Sequence, residues 1–296
     1  MKRRFFKIIF LFSLPSLFLF TLLVIGPVVW GVVVSFTNEA LVGPGAKNPK
    51  FIGLANYLKL LSDPLFYNSA LISFLYVVGS AIVGQAGLGF LLALLTSRRR
   101  RIYSKIFILA MIAQSAALIS WVTPEVAGGY CWEVYLDARG LFPYLLSKLG
   151  LPRVNFLVRY PLLSIILANI WWGTAWSMLL FKSALETIPI ELEESAMVDG
   201  ASSLDKLRYI ILPLIKGPAL VNLILITIWT YGVFGFPYML TAGGPLHRSE
   251  LMTIYAYNTA FKARKIGYAA AISVMMFLMS LALVTIYQFI GRRTRG

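Results

Sequence analysis

The sequence predicts an all-α integral membrane protein of six transmembrane helices, with both termini on the cytoplasmic side. Three observations predict it. Hydrophobic residues make up 59% of the 296 residues, and the mean hydropathy is +0.78. Charged residues make up 13%, about half the fraction usual in a soluble domain, which is roughly 25%. Six stretches are long and apolar enough to cross a bilayer, a crossing that takes about 20 residues.

The first stretch, Ile8–Phe36, follows MKRRFFK. That opening resembles a secretory signal. The apolar run is about twice the length of a signal's apolar region, and no small-residue cleavage site closes it, so a retained anchor is expected. Ala70–Leu95 and Ile106–Tyr130 come next; the latter is interrupted by Gln114, Pro124, Glu125 and the Gly128–Gly129 pair. Leu162–Phe181, Ala219–Leu240 and Gly267–Ile290 complete the set. The outer connections Thr37–Ser69, Cys131–Pro161 and Thr241–Ile266 are expected to hold no soluble domain.

Orientation follows from lysine and arginine, which favour the cytoplasmic ends of spans. One side carries Lys2, Arg3, Arg4 and Lys7, then Arg98 to Arg101 and Lys105, then Lys182, Lys206, Arg208 and Lys216, and finally Arg292, Arg293 and Arg295. Those are sixteen of the 27 basic residues. The net charge of +15 would suggest nucleic acid in a soluble protein. Beside apolar spans these charges read as topological anchors, and no nucleic-acid partner is expected.

Several chemistries are excluded. A single cysteine, Cys131, permits no internal disulfide. The single histidine, His247, lies in a polar loop and reads as solvated. Neither a metal-ligand spacing nor a G-x-x-x-x-G-K-[ST] phosphate loop is present. No catalytic residue and no cofactor is expected in this chain.

The cytoplasmic connection from Leu185 to Pro218 carries the strongest pattern. Thr187 and Pro189 suit a helix start. Ile190 to Val198 fits a short amphipathic helix, and Gly200 can take positive φ and turn the chain. Ser202 or Ser203 can cap a second helix, expected to end before Pro213. Glu191, Glu193 and Glu194 offer charge, and Ser195, Ala196 and Ala201 let another backbone approach. A solvated acidic surface helix is the plainer alternative.

Glu194-Ser195-Ala196, Gly200, Ile210, Leu212 and Pro213 resemble the E-A-A-x3-G-x9-I-x-L-P loop of binding-protein-dependent ABC permeases, with Ser195 where alanine is usual. The flanks Ile188-Pro189, Asp199-Gly200-Ala201 and Pro218 resemble it too. Phe51-Ile52-Gly53-Leu54-Ala55-Asn56-Tyr57, Asp63-Pro64, Thr241-Ala242-Gly243-Gly244-Pro245 and Gly267-Tyr268-Ala269-Ala270-Ala271 are similar to the sugar-type branch. The resemblance implies a type I importer permease fold: one permease domain over 1–296, its core 65–290, with coupling loop 185–218. It implies ATPase coupling through Glu194, Ser195, Ala196, Asp199, Gly200, Ala201, Leu212 and Pro213. It also implies a second permease subunit, two ATP-binding subunits that hold ATP and Mg, an extracytoplasmic solute-binding protein, and membrane lipid around the spans.

The stretches flanking that loop are the expected substrate path. Asn169, Gly173 and Trp176 are spaced i, i+4, i+7 and share a helix face; Trp172 lies beside them. The next stretch offers Trp229 and Thr230. Aromatic rings suit the C–H faces of a sugar, and polar groups suit its hydroxyls. The alternatives are interfacial aromatics and helix packing at Gly173. Glu125 belongs either at the outer interface or in the pathway. A glycerol-phosphate permease is the alternative substrate class, and a self-sufficient secondary transporter the alternative mechanism.

Overall fold

The computed structural model describes residues 2–97 and 105–293. The expected cluster Arg98 to Arg101 and the terminal Arg295 lie outside the described residues. Among the described residues the protein is helical. Its one β pairing is an isolated bridge between Thr37 and Phe51.

Among the described residues four helices are long and apolar enough to cross a membrane alone: Phe12–Ser35, Pro64–Thr96, Pro161–Glu186 and Ile266–Gly291. Two further spans are broken. Phe107–Val122 meets Glu125–Lys148 at 117°, and Ser203–Leu214 meets Lys216–Gly232 at 68°. Two expected stretches are therefore too long. The third ends at Val122 rather than Tyr130, because Pro124 turns the chain and caps a new helix, Glu125–Leu136, in extended conformation. The fifth ends at Gly232 rather than Leu240, because Val233 is extended and a separate helix starts at Gly235. The outer connections also contain short helices, among them Ala55–Leu61, Leu141–Lys148 and Met252–Tyr257.

Contacts divide the chain into two compact units. One comprises Met1–Phe66 and Tyr255–Met279. Here the sugar-branch segments do structural work. Asn56 is buried, and its Nδ2 donates to the Ser35 and Thr37 carbonyls, 2.8 Å each. These carbonyls close the first span and have no partner of their own within it. Tyr57 shares a 2.6 Å hydrogen bond with Ser35 Oγ. Gly267 donates its N–H to Glu39 O at 2.8 Å, and a Cβ at Gly267 would collide with the Thr37 carbonyl.

Asp63 ties three elements of this unit together. Its carboxylate accepts the Leu65 N–H at 2.9 Å at the start of the helix Pro64–Tyr76. It also accepts the Tyr255 hydroxyl at 2.6 Å and the Tyr268 hydroxyl at 3.0 Å. Burial pushes the Asp63 carboxyl up. The Tyr255, Leu65 and Tyr268 hydrogen bonds and the Lys59 charge outweigh it and hold the group below the ordinary carboxylate value.

The other unit comprises Tyr67–Ile254 and Ser280–Gly296. Its core gathers Tyr76, Ile165, Ala168, Phe236, Leu240, Leu251 and Ile254. The span Pro64–Thr96 becomes π-helical over Val77–Ala86. Gly79, Gly84 and Gly89 face Ile166, Ile170 and Ser177 of the span Pro161–Glu186, where a Cβ at each glycine would collide or crowd. Gly79 and Gly84 lie in the π segment and Gly89 in the α-helix after it, and the missing side chains let two backbones pack closely. Gln114, polar within an apolar span, accepts from Lys182 Nζ at 3.3 Å. His247 is 59% exposed in its loop, and its Nδ1 meets the Glu250 carboxylate.

Candidate functional site

All six residues expected to line a substrate path line one cleft. Asn169, Trp172, Gly173 and Trp176 reach it from the span Pro161–Glu186, and Trp229 and Thr230 from Lys216–Gly232. The cleft measures about 540 Å³, within the range of small-molecule sites. Glu125, Gln85 and Trp121 complete its functional lining.

Three of the indoles form a connected wall. Trp176 stands 6.1 Å from Trp121 and packs edge-on against Trp229 at 4.7 Å. Trp172 stacks on Phe236 at 6.1 Å. The Trp176 Nε1–H is buried with no hydrogen-bond partner, a cost of about 1–3 kcal/mol that a ligand acceptor would remove.

Asn169 lines the cleft and is also tied to the neighbouring span. It is 2% exposed, and its Nδ2 donates to Ser80 Oγ at 2.9 Å. Its backbone carbonyl accepts from Gln85 Nε2 at 3.1 Å. Gln85 occupies the volume where a side chain at Gly173 would stand. Gly173 thus lines the cleft and also admits a buried amide from the neighbouring span. Gln85 escaped the sequence reading; its signal was a lone amide within an apolar stretch.

Glu125 is half-buried and lines the cleft. Its Oε1 accepts the Phe236 N–H at 2.7 Å. A Cβ on Gly235 would stand 2.7 Å from that oxygen, so glycine there lets the carboxylate reach the backbone. The break at Pro124 is what turns Glu125 inward, at the first turn of its own helix.

The predicted cytoplasmic segment forms two helices joined by a tight turn. Ile190–Val198 is helical, with Pro189 at its N-cap. Gly200 has φ of 80°. The Gly200 N–H donates to Met197 O at 3.1 Å, and the Ala201 N–H to Ala196 O at 2.9 Å; this pair closes a Schellman motif. Ser202 then starts the next helix with a capping box. Its hydroxyl accepts the Asp205 N–H at 3.2 Å, and Asp205 accepts the Ser202 N–H at 3.0 Å.

Two expectations for this segment need correction. The second helix does not end before Pro213. It continues through a π turn, Leu207–Ile211, into Leu212–Leu214, which holds Pro213. The first helix is not amphipathic. Ile190, Met197 and Val198 fall on one side and Leu192 on the other, and all four are exposed. Glu194 and Ser195 are exposed and Ala196 is half-buried; no residue of Ile190–Val198 is buried. Among the described residues no group of three metal-ligating side chains could hold an ion.

The sequence pattern of the family described as "Binding-protein-dependent transport system inner membrane component" matches residues 85–296. A probable ABC transporter permease protein of Pyrococcus horikoshii is 31% identical over 95% of this chain and 94% of its own length. The trehalose/maltose transport system permease protein MalF of Thermococcus litoralis is 31% identical over 100% of this chain and 97% of its own. A chain of a bacterial alginate ABC transporter, solved in complex with an alginate pentasaccharide-bound periplasmic protein, shares the fold. Its TM-score is 0.78 at 20% identity, over 97% of this chain and 94% of that one.

Proposed function

The chain belongs to the binding-protein-dependent transport system inner membrane components, and from that premise we infer that it forms part of the path by which a sugar or sugar-like solute is imported. It is a transport subunit of the inner membrane, not an enzyme. The single observation that carries the substrate class is the cleft. Four indoles and a carboxylate converge there, which suits a solute with apolar faces and hydroxyl edges. The trehalose/maltose relative, aligned over 97% of its length, supports the same class.

The cycle follows from the two sites. The family's systems use a separate binding protein, which would deliver solute to the outer face. A second permease would complete the pathway. Two ATP-binding subunits, carrying ATP and Mg, would dock on the segment from Leu185 to Pro218. Glu194, Ser195, Ala196, Asp199, Gly200, Ala201, Leu212 and Pro213 would form that contact. The exposed Ile190, Leu192, Met197 and Val198 give the docking helix an apolar surface that a plain solvated helix would not carry. Closure of the ATPases would move this helix, and the span Pro161–Glu186, separated by only Thr187 and Ile188 from the helix's N-cap Pro189, would carry the motion to the cleft.

The test is Trp176→Ala in the reconstituted transporter. Solute-stimulated ATP hydrolysis and uptake should fall about tenfold or more, while the subunits still co-purify. Unchanged uptake kinetics would remove the cleft from the path.

A further inference from the structure

The cleft contains a carboxylate and no compensating cation. Glu125 lines it, and among the described residues no lysine, arginine or histidine does. The carboxylate is not there merely as a buried ion. Oε1 is held by the Phe236 N–H at 2.7 Å, and Gly235 leaves it room. Proline at 124 and glycine at 235 thus fix one charge at a set place among the indoles Trp121, Trp172, Trp176 and Trp229. A negative group brought into that space would face Glu125 in a poorly screened setting with nothing to offset the repulsion.

We propose that Glu125 is the residue that sets charge selectivity in the cleft: it accepts hydrogen bonds from the hydroxyls of an uncharged, polyhydroxylated solute and rejects anionic ones. The proposal rests on the reading of the cleft as the solute path. It goes beyond that reading by excluding phosphorylated and carboxylated solutes, and by assigning the exclusion to one residue. An ammonium group is compatible with the same chemistry, since both a carboxylate and indole faces attract it.

The test uses the assembled transporter, this chain with its partner subunits, in phosphatidylcholine nanodiscs and three probes of one ring shape: methyl glucoside, methyl glucosaminide and methyl glucuronide. Binding is read from tryptophan fluorescence. The glucoside and the glucosaminide should bind, and the glucuronide should bind about tenfold more weakly or worse. Glu125→Gln keeps an oxygen for the Phe236 N–H and removes the charge; it should bring the glucuronide to within about threefold of the glucoside. Glu125→Asp keeps the charge and should keep the rejection, which separates charge from local packing. Equal affinity for glucoside and glucuronide in the unmodified chain would overturn the proposal and leave the cleft a sugar site. The same would follow if Glu125→Asp lost the rejection as fully as Glu125→Gln. No response to any of the three probes would overturn the cleft reading itself and the selectivity with it.

Discussion

The side-chain amide of Gln85 fills the space that the absent side chain of Gly173 leaves, and it donates to the Asn169 carbonyl at 3.1 Å. Two membrane spans are thereby locked by a buried polar contact on the wall of the cleft. Helical carbonyls usually accept only within their own helix; this one accepts a second donor from a neighbour.

Gly173→Ala should therefore destabilise the protein and distort the cleft together. Overpacking of this kind costs about 1–3 kcal/mol. Gln85→Ala in the same chain should recover part of the loss, because it vacates the contested volume. A double-mutant cycle on thermal stability in detergent should return a coupling of about 0.5–3 kcal/mol. Additive effects would mean that Gly173 and Gln85 do not share that space.

Gly200 should matter through conformation rather than space. A Cβ there meets nothing within 4 Å, but φ is +80°. Gly200→Ala should cost roughly 1 kcal/mol or more in the turn and weaken ATPase docking, and Gly200→Leu more so. Subunit pull-down beside solute-stimulated ATP hydrolysis measures both. Full association and full stimulation in Gly200→Leu and in Glu194→Ala would deprive the segment of a coupling role.

Asp63 should make one part of the protein acid-sensitive. Its folded carboxyl titrates below the ordinary value. The ionised form is therefore the one the fold stabilises. That contribution is complete above the unfolded value of about 3.9 and fades as pH falls through the lower folded value. Melting curves between pH 7 and pH 3 should show a fall in stability that Asp63→Asn flattens, with a lower starting stability at neutral pH. A parallel pair of curves would contradict the assignment.

The orientation of the spans can be checked by labelling. In a chain with the exposed Cys131 replaced by serine, a cysteine at Lys148 should react with an impermeant reagent from outside. One at Arg295 should react only after the membrane is opened. The opposite pattern would invert the topology.

The sequence by itself determined the membrane class, the approximate spans and a helix–turn–helix that begins at Ile190, though not where its second helix ends. Apolar run length decides the first two. The last is written in local chemistry: Pro189 for a start, Gly200 for positive φ, and Ser202 or Ser203 for a cap, of which the structure uses Ser202. Each of these signals acts within a few residues, so no distant contact is needed to read it. The face shared by Asn169, Gly173 and Trp176 was legible for the same reason, since helical spacing fixes it.

Only the tertiary structure decided what those residues meet. The breaks at Pro124 and Val233 shorten two spans and bring Glu125 to the Phe236 N–H, 111 residues away. Nothing local states that distance, and so the sequence left Glu125 either at an interface or in the path. Gln85 and Asn56 were silent for the same reason: each satisfies backbone carbonyls of an element far along the chain. A buried polar side chain takes its meaning from its partner, and partners across spans are chosen by packing, which here turns on where glycine lets two backbones close together.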